Sequence, residues 1–166
     1  MTFLVLIGFL VLADLALKAE IESRDGSEFP KELDEKGLIV LHKSHNAGLP
    51  FGLLKRCQET VRMVPVITAS AVGGILFWLL QRKGHTAEKL GFSLTLAGAL
   101  SNIYDRLTRH YVVDYFSINR GKLKKVIFNL GDIFIFLGGA ILLLHEIWES
   151  VRPCPGKRKA GRPSKK

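Results

Sequence analysis

The chain has 166 residues, of which 48% are hydrophobic, and its formal net charge is +9. This length suits one compact domain. The apolar residues are concentrated in long runs, however, and this distribution argues against a soluble globular protein.

Four apolar runs are long enough to be interpreted as transmembrane helices. In chain order they cover about residues 2–19, 64–80, 90–104 and 126–148. The third run is the shortest, and its helix is expected to continue into Asp105 and Arg106. The sequence therefore predicts an all-α membrane protein with four transmembrane helices in residues 1–151, followed by a basic tail over residues 152–166.

The first run could be confused with a cleavable secretory signal peptide. It lacks a basic region in front of the apolar residues, and it carries Asp14 and Lys18 where small residues would surround a cleavage site. We therefore expect this segment to be retained as a membrane helix.

The positions of the basic residues predict the orientation of the four helices. Arg82, Lys83 and Lys89 lie in the loop between the second and third helices, and the tail is basic with no acid. Since cytoplasmic loops carry an excess of lysine and arginine, this loop and both termini are expected on the cytoplasmic side. The basic residues of segment 105–125, which would face outward, argue against this orientation. The tail is expected to attract anionic membrane lipids, and no nucleic-acid partner is expected.

The first segment on the outer side, residues 20–63, is strongly charged. Its apolar run from Gly37 to His42 predicts a short strand, which could form a small extracytoplasmic β cradle with residues near Phe51. A solvated loop is the alternative. Residues 58–63 could form an amphipathic helix on the membrane surface, although the stretch is short.

Strongly polar residues cluster at the outer ends of three of the four predicted helices. These residues are Asp14, Lys18, Asn102, Asp105, Arg106, Asn129 and Asp132. An aspartate near the middle of a membrane helix costs roughly 2.5–3.5 kcal/mol, so some interaction has to offset this layer. Mutual neutralisation is one explanation, with Asp14 paired to Lys18 and Asp105 paired to Arg106 or another neighbour.

Neutralisation does not explain Asp132. With a helix that starts near residue 126, Asp132 lies about six residues below the membrane surface, with no cation within one turn beneath it. Its nearest plausible partner is Asp114, on the loop that returns to the same face. Two carboxyl groups in a low-dielectric pocket share one proton, which gives an acid and a base that could hydrolyse an amide. The spacing alone also permits other loop paths.

Cysteine and histidine patterns offer no metal site. The two cysteines, Cys57 and Cys154, are expected on opposite sides of the membrane, and neither a CxxC nor an HExxH motif occurs. No metal and no cofactor are therefore expected.

Several motifs together resemble the type II, or lipoprotein, signal peptidases. The stretch GALSNIYDRLTRHYVVDYF followed by FNLGD is similar to the signature of that family. Asp14 and Lys18 match its aspartate-x-x-x-lysine motif in the first span, and NAGLPFG, residues 46–52, resembles its asparagine-x-glycine loop. The resemblance extends to Trp148.

The resemblance implies a four-helix aspartic peptidase of the bacterial cytoplasmic membrane, monomeric, with its active site at the outer leaflet. Such enzymes remove the signal peptide from a precursor that carries a diacylglyceryl group on a cysteine, cutting just before that cysteine. By position in the motifs, the catalytic pair is Asp114 and Asp132. The supporting or substrate-binding residues implied in the same way are Asn46, Gly48, Asn102, Asp105, Arg106, Asn129, Asp14 and Lys18.

The chain departs from the usual family pattern at a few positions. Ser101 and Gly131 stand where glycine and alanine are usual, Ile133 replaces a small residue, and Leu49 and Pro50 replace two more. Two alternatives to the peptidase remain open at this point: an inactive relative that binds lipidated peptides, and a small membrane transporter that uses the buried carboxylates as a proton relay.

Overall fold

The computed structural model describes residues 1–48 and 57–152. In these residues the chain forms four long helices: α1 (Thr2–Ser23), α2 (Gln58–Leu80), α3 (Thr86–Thr108) and α4 (Leu130–Val151). Four strands form one sheet: β1 (Lys31–Glu32), β2 (Ile39–Asn46), β3 (Val112–Ile118) and β4 (Ile127–Phe128). The predicted features at residues 49–56 and almost all of the basic tail lie outside the described residues.

Within the described residues, three helices rather than four are long and apolar enough to cross a membrane. The mean hydropathies of α1, α2 and α4 are 2.1, 2.0 and 1.8. Helix α3 is as long as α2, but it is not among these candidate spans. It packs against α1, α2 and α4, and buries polar residues in those contacts, which accounts for its lower apolar content. The predicted mostly helical fold is thus confirmed, whereas the fourth membrane span stays a prediction.

The helix boundaries differ from the predicted ones because apolar content does not mark where a helix begins and ends. Helix α1 continues to Ser23, through polar residues that favour helix. Helix α2 begins at Gln58, so residues 58–63 form its first turns and not a separate surface helix. Helix α4 begins at Leu130 rather than near residue 126, because residues 127–128 pair with β3 as strand β4.

Glycines allow α3 and α4 to approach closely. A methyl group added at Gly98 would overlap the backbone carbonyl of Gly131, and one added at Gly138 would overlap Thr95. Only a residue without a side chain fits such a contact between helices. This contact fixes the first turn of α4, and with it Asp132, against α3.

The sheet is antiparallel, with the order β1-β2-β3-β4. Strand β2 continues past the predicted strand to Asn46 and pairs with β1 and β3, while the predicted partner near Phe51 lies outside the described residues. Ser44 lies opposite Asp114, and the register shifts between Leu41 and Ser44. Asp114 therefore lies within a strand and not on the loop that the sequence analysis expected, because the alternating pattern of β3 was not recognised as a strand signal.

The sheet is anchored to the end of the helix bundle at which α1 and α3 finish and α4 begins. Ile21 of α1 packs with Val113 and Tyr115 of β3 in a buried apolar cluster. Each of the four residues from Val112 to Tyr115 is buried. This packing holds Asp114 next to the first turn of α4.

Candidate active site

Asp114 and Asp132 line the same cavity, which has a volume of about 260 Å³. Strand β3 supplies the first carboxyl group and the first turn of α4 supplies the second. Three more of the sequence-predicted site residues line this cavity: Asn46, Asn102 and Arg106. The rest of its wall is largely apolar and includes Pro65, Ala69, Val72, Ile135 and Phe136. The structure thus brings together two carboxyl groups, two amides and one guanidinium group beside an apolar surface.

Asn129 makes hydrogen bonds to both aspartates. It is the N-cap of α4, and its Oδ1 accepts a hydrogen bond from the backbone N–H of Asp132 at 2.9 Å. This bond directs the amide nitrogen toward β3, where Nδ2 donates to Asp114 Oδ1 at 2.8 Å. Asp132 completes a capping box, since its Oδ2 accepts from the backbone N–H of Asn129.

Asn102 holds the second oxygen of Asp132 from the side of α3. Its Nδ2 donates to Asp132 Oδ1 at 3.0 Å, and its Oδ1 accepts from Lys18 Nζ at 2.8 Å. A lysine ammonium group only donates, so the amide oxygen of Asn102 has to face Lys18. The NH₂ group is therefore directed at Asp132.

The helix start changes the position expected for Asp132. The sequence analysis placed it about six residues into a membrane helix, but it is the N3 residue of α4, in the first turn. Burial, and after it the nearby Asp132 carboxyl group, raise the pKa of Asp114 to about 7, and hydrogen bonds from Asn129 and Asn46 partly oppose this shift. Near neutral pH, Asp114 can therefore hold a proton that an ordinary aspartate would have lost.

A second polar cluster lies beside this pair, between α1 and α3. The Lys18 ammonium group lies 2.9 Å from Asp14 Oδ2 and 3.2 Å from Asp105 Oδ2, and all three side chains are fully buried. Arg109 contacts the other oxygen of Asp105 at 2.6 Å. Two carboxylates and two cations make this cluster neutral as a whole. Helix α1 is thereby joined to α3 by buried charges.

The predicted pairing of Asp14 with Lys18 is correct, and of the two alternatives predicted for Asp105, Arg106 or another neighbour, the structure shows the second. Asp105 pairs with Lys18 and Arg109, whereas Arg106 turns away from it. Arg106 donates to the backbone carbonyls of Asn102 and Gly48, at 3.2 and 3.0 Å. Adjacent residues of a helix point in different directions, and the sequence alone did not show which of the two faces Lys18.

The turn that follows β2 reaches the site through Gly48. Its backbone N–H donates to Asn46 Oδ1 at 3.0 Å, and its carbonyl oxygen accepts from Arg106. The Arg106 side chain is buried, and its Nε has no hydrogen-bond partner among the described residues. This donor lies at a cavity that contains Asp114 and Asp132.

The sequence analysis missed three residues of the polar clusters: Arg109, described above, Tyr115 and Ser101. The Tyr115 hydroxyl donates to Asp14 Oδ1 at 3.0 Å and accepts from the backbone N–H of Leu130 at 3.0 Å. The Ser101 hydroxyl donates to Asp14 Oδ2 at 2.6 Å. Recognition of β3 as a strand could have pointed to Tyr115, since neighbouring residues of a strand lie on opposite faces. Ser101 stood out in the sequence as a departure from the family pattern, without any indication of its contacts.

A family model described as Signal peptidase (SPase) II matches residues 6–148. Among curated proteins, the lipoprotein signal peptidases of Brucella ovis and Brucella melitensis biotype 1 are each 29% identical over 137 residues, which cover 82% of this chain and 83% of theirs. These matches span both of the polar clusters described above.

Two solved structures share the fold. A bacterial membrane enzyme determined by the in meso method superposes with a TM-score of 0.80 at 21% identity, covering 95% of this chain and 94% of that one. A second has a TM-score of 0.74 at 22% identity, covering 88% and 92%. Because the family model matches most of the chain and three of its helices are apolar enough to span a bilayer, this membrane protein belongs to the signal peptidase II family and is an aspartic peptidase of that type.

Proposed function

We propose that this enzyme removes the signal peptide from diacylglyceryl-modified prolipoproteins and cuts just before the lipidated cysteine, with Asp114 and Asp132 as its catalytic pair. One observation carries this assignment: the buried carboxyl group of Asp114 and the half-buried one of Asp132, both hydrogen-bonded to Asn129, line one largely apolar cavity. The proteins of similar sequence that are named lipoprotein signal peptidases support the choice of substrate.

In the proposed reaction, one carboxyl group is ionised and the other is protonated. The ionised group takes a proton from a water molecule, whose oxygen attacks the carbonyl carbon of the scissile peptide bond. The protonated group then donates to the departing nitrogen, so that the C–N bond breaks as the new C–O bond is completed. Asp114 suits the acid because its pKa is raised to about 7. Asp132 accepts hydrogen bonds from Asn102 and Asn129, which suits the base.

The remaining site residues have proposed supporting roles. Arg106 and Asn46 line the cavity and would position the substrate backbone, with the Nε of Arg106, which has no partner within residues 1–48 and 57–152, as a donor. Gly48 supports Arg106 through its carbonyl oxygen. The neutral cluster of Asp14, Lys18, Asp105 and Arg109 would hold α1 against the site.

The apolar wall of the cavity fits a substrate that arrives from the membrane. Burial of an acyl chain contributes about 0.8 kcal/mol per methylene, so a lipidated precursor is concentrated in the bilayer before any specific contact forms. The basic loop between α2 and α3 supports cytoplasmic termini, and we infer that the site lies at the outer leaflet of the bacterial inner membrane. The proposed enzyme acts as a monomer and needs no cofactor.

The test is cleavage of a lipidated precursor by the purified full-length protein in liposomes, with and without a chelator. Wild type is expected to release a signal peptide that ends just before the modified cysteine, as identified by mass spectrometry, and the chelator is expected to have no effect. Asp114→Asn and Asp132→Asn are each expected to lower the rate by about 10²–10⁴-fold, because proton transfer by the pair is lost.

The thermal unfolding of each variant, measured in the same liposomes, verifies that it is folded. Wild type that binds the lipidated precursor without cutting it would favour the inactive relative. Full activity in either aspartate variant would refute the catalytic pair. A proton flux across liposomes that depends on both aspartates, without cleavage, would favour the transporter.

A further inference from the structure

Ser101 connects the two charged residues of α1. Its side chain is fully buried on α3, and its hydroxyl donates to Asp14 Oδ2 at 2.6 Å. The oxygen of this hydroxyl, Ser101 Oγ, accepts a hydrogen bond from Lys18 Nζ at 3.1 Å. A carboxylate only accepts and an ammonium group only donates, so both bonds have a defined direction. Ser101 thus lies between the two residues: it donates to Asp14 and accepts from Lys18.

Lys18 shares three N–H bonds among four oxygen atoms. These are Asn102 Oδ1 at 2.8 Å, Asp14 Oδ2 at 2.9 Å, Ser101 Oγ at 3.1 Å and Asp105 Oδ2 at 3.2 Å. The position of the ammonium group therefore depends on all four partners. Loss of Ser101 would free Lys18 to move toward the two carboxylates, because charged partners form the stronger hydrogen bonds. The contact with Asn102 would then weaken.

Asn102 transmits the position of Lys18 to Asp132. With its oxygen on Lys18, the amide presents Nδ2 to Asp132 Oδ1 at 3.0 Å. Without that anchor the amide can rotate by half a turn, which would place oxygen against the carboxyl oxygen of Asp132. One proton donor to Asp132 would be lost in that orientation.

Asp14 reaches the same carboxyl group along a second route. Its Oδ1 accepts from the backbone N–H of Leu130 at 3.1 Å and from the Tyr115 hydroxyl. Leu130 is the first residue of α4 and lies two positions before Asp132. Ser101 therefore contacts the residues at the start of both routes. Asp14 binds the backbone N–H of Leu130 at the start of α4, and Lys18 binds Asn102, which donates to the Asp132 side chain.

We propose that Ser101 is a positioning residue for the peptidase reaction: its hydroxyl holds Asp14 and Lys18 in the arrangement that directs the amide of Asn102 at Asp132. This inference rests on the proposed function, because it assumes that Asp132 takes part in peptide cleavage. Ser101 does not line the cavity and does not touch the substrate in this proposal. Its loss should therefore slow the chemical step and leave substrate binding intact.

The test compares kcat and KM for cleavage of the lipidated precursor by wild type and Ser101→Ala. A misplaced catalytic group can cost up to about 10²-fold in rate, so kcat is expected to fall about 10- to 100-fold. KM is expected to stay within about twofold, since no contact with the substrate is removed. Ser93→Ala is the matched control: Ser93 lies on the same helix, is equally buried, and its hydroxyl has no hydrogen-bond partner among the described residues. That variant should retain wild-type kcat.

A second pair of variants separates the effect of the hydroxyl group from the effect of side-chain volume. Threonine and valine have nearly the same shape and differ in the hydroxyl group. Ser101→Thr is expected to retain at least several times the kcat of Ser101→Val. Equal kcat values for the two variants, or a Ser101→Ala enzyme within about twofold of wild type, would overturn the positioning role while the proposed function stands. Failure of wild type to cleave would overturn the proposed function itself, and this inference with it.

Discussion

Two groups of buried aspartates lie side by side in this protein and have opposite surroundings. Asp14 and Asp105 each contact a cation within 3.2 Å, and one lysine serves both. Asp114 and Asp132 make no ion pair in the part of the chain that the structure describes, and asparagine amides donate to them instead. The first group has the surroundings of a structural ion cluster. The second has the surroundings of an acid and base pair, because no ion pair among the described residues neutralises its carboxyl groups.

The difference shows that burial alone does not separate the proposed catalytic carboxylates from the structural ones. All four aspartates are buried, or nearly so, and all four lie in one polar layer. What distinguishes them is whether a cation compensates the charge. Asn102 is the link between the groups, since one end of its amide contacts Lys18 and the other contacts Asp132.

The largest effect on stability is expected from Lys18→Met. Methionine fills a similar volume but leaves two buried carboxylates without their shared cation, which costs about 3–5 kcal/mol. The free energy of unfolding, measured in detergent through tryptophan fluorescence, should fall by that amount. Asp132→Asn should change it by less than about 1 kcal/mol, because no ion pair is removed. Equal losses in the two variants would contradict the division into a structural and a catalytic group.

The next largest effect is expected where α3 and α4 touch. The side chain of Gly138→Ala would overlap Thr95 and the backbone of Gly91, so the helices have to separate. This separation should lower the free energy of unfolding by about 1–3 kcal/mol. Gly139→Ala is the matched control, since an added methyl group there has nothing within 4 Å. Unfolding of both variants by denaturant measures the difference. Identical midpoints would show that this close contact does not hold α4, and Asp132 with it, in place.

The pH dependence of cleavage should report the raised pKa of Asp114. If Asp114 is the acid, the rate should fall about tenfold per pH unit once the pH rises above about 7, because the proton is then lost. The measurement is kcat/KM between pH 5 and 9. A rate that is constant from pH 7 to 9 would assign the acid role elsewhere.

The same group should make stability depend on pH with a definite sign. Its pKa is higher in the folded protein than the ordinary value of 3.8, so the folded state binds more protons between about pH 4 and pH 7. Stability should therefore fall as the pH rises through that window and level off above it. Asp114→Asn should remove this contribution. A wild-type slope of the opposite sign would show that other groups dominate.

The smallest effect on stability is expected at the N-cap of α4. Asn129→Ala removes the cap and should cost about 1 kcal/mol, whereas Asn129→Ser keeps a capping oxygen and should cost less. Both variants lose the donor to Asp114, so both should lose most of the cleavage activity. Thermal unfolding and the cleavage rate of the two variants separate these roles. Full activity in Asn129→Ser would mean that the cap, and not the bridge to Asp114, is what the site requires.

The sequence by itself determined which residues are candidates for the proposed chemistry. The apolar runs, the polar residues at their outer ends and the family motifs were all local features, and each is visible within a few positions of the chain. The helices, the ion pair between Asp14 and Lys18, and the family were predicted correctly from them. A pair at positions i and i+4 meets whenever a helix forms, so no tertiary information was needed.

Only the tertiary structure decided how these residues meet. In the structure Asp114 lies on a strand and Asp132 lies in the first turn of α4. Asp105 pairs with Lys18 and Arg109. The hydroxyl groups of Ser101 and Tyr115 donate to Asp14. Each of these contacts joins segments far apart in the chain, or depends on which of two adjacent side chains faces a neighbour. Such choices follow from the packing of whole helices and strands, in which a shift of one residue changes every partner.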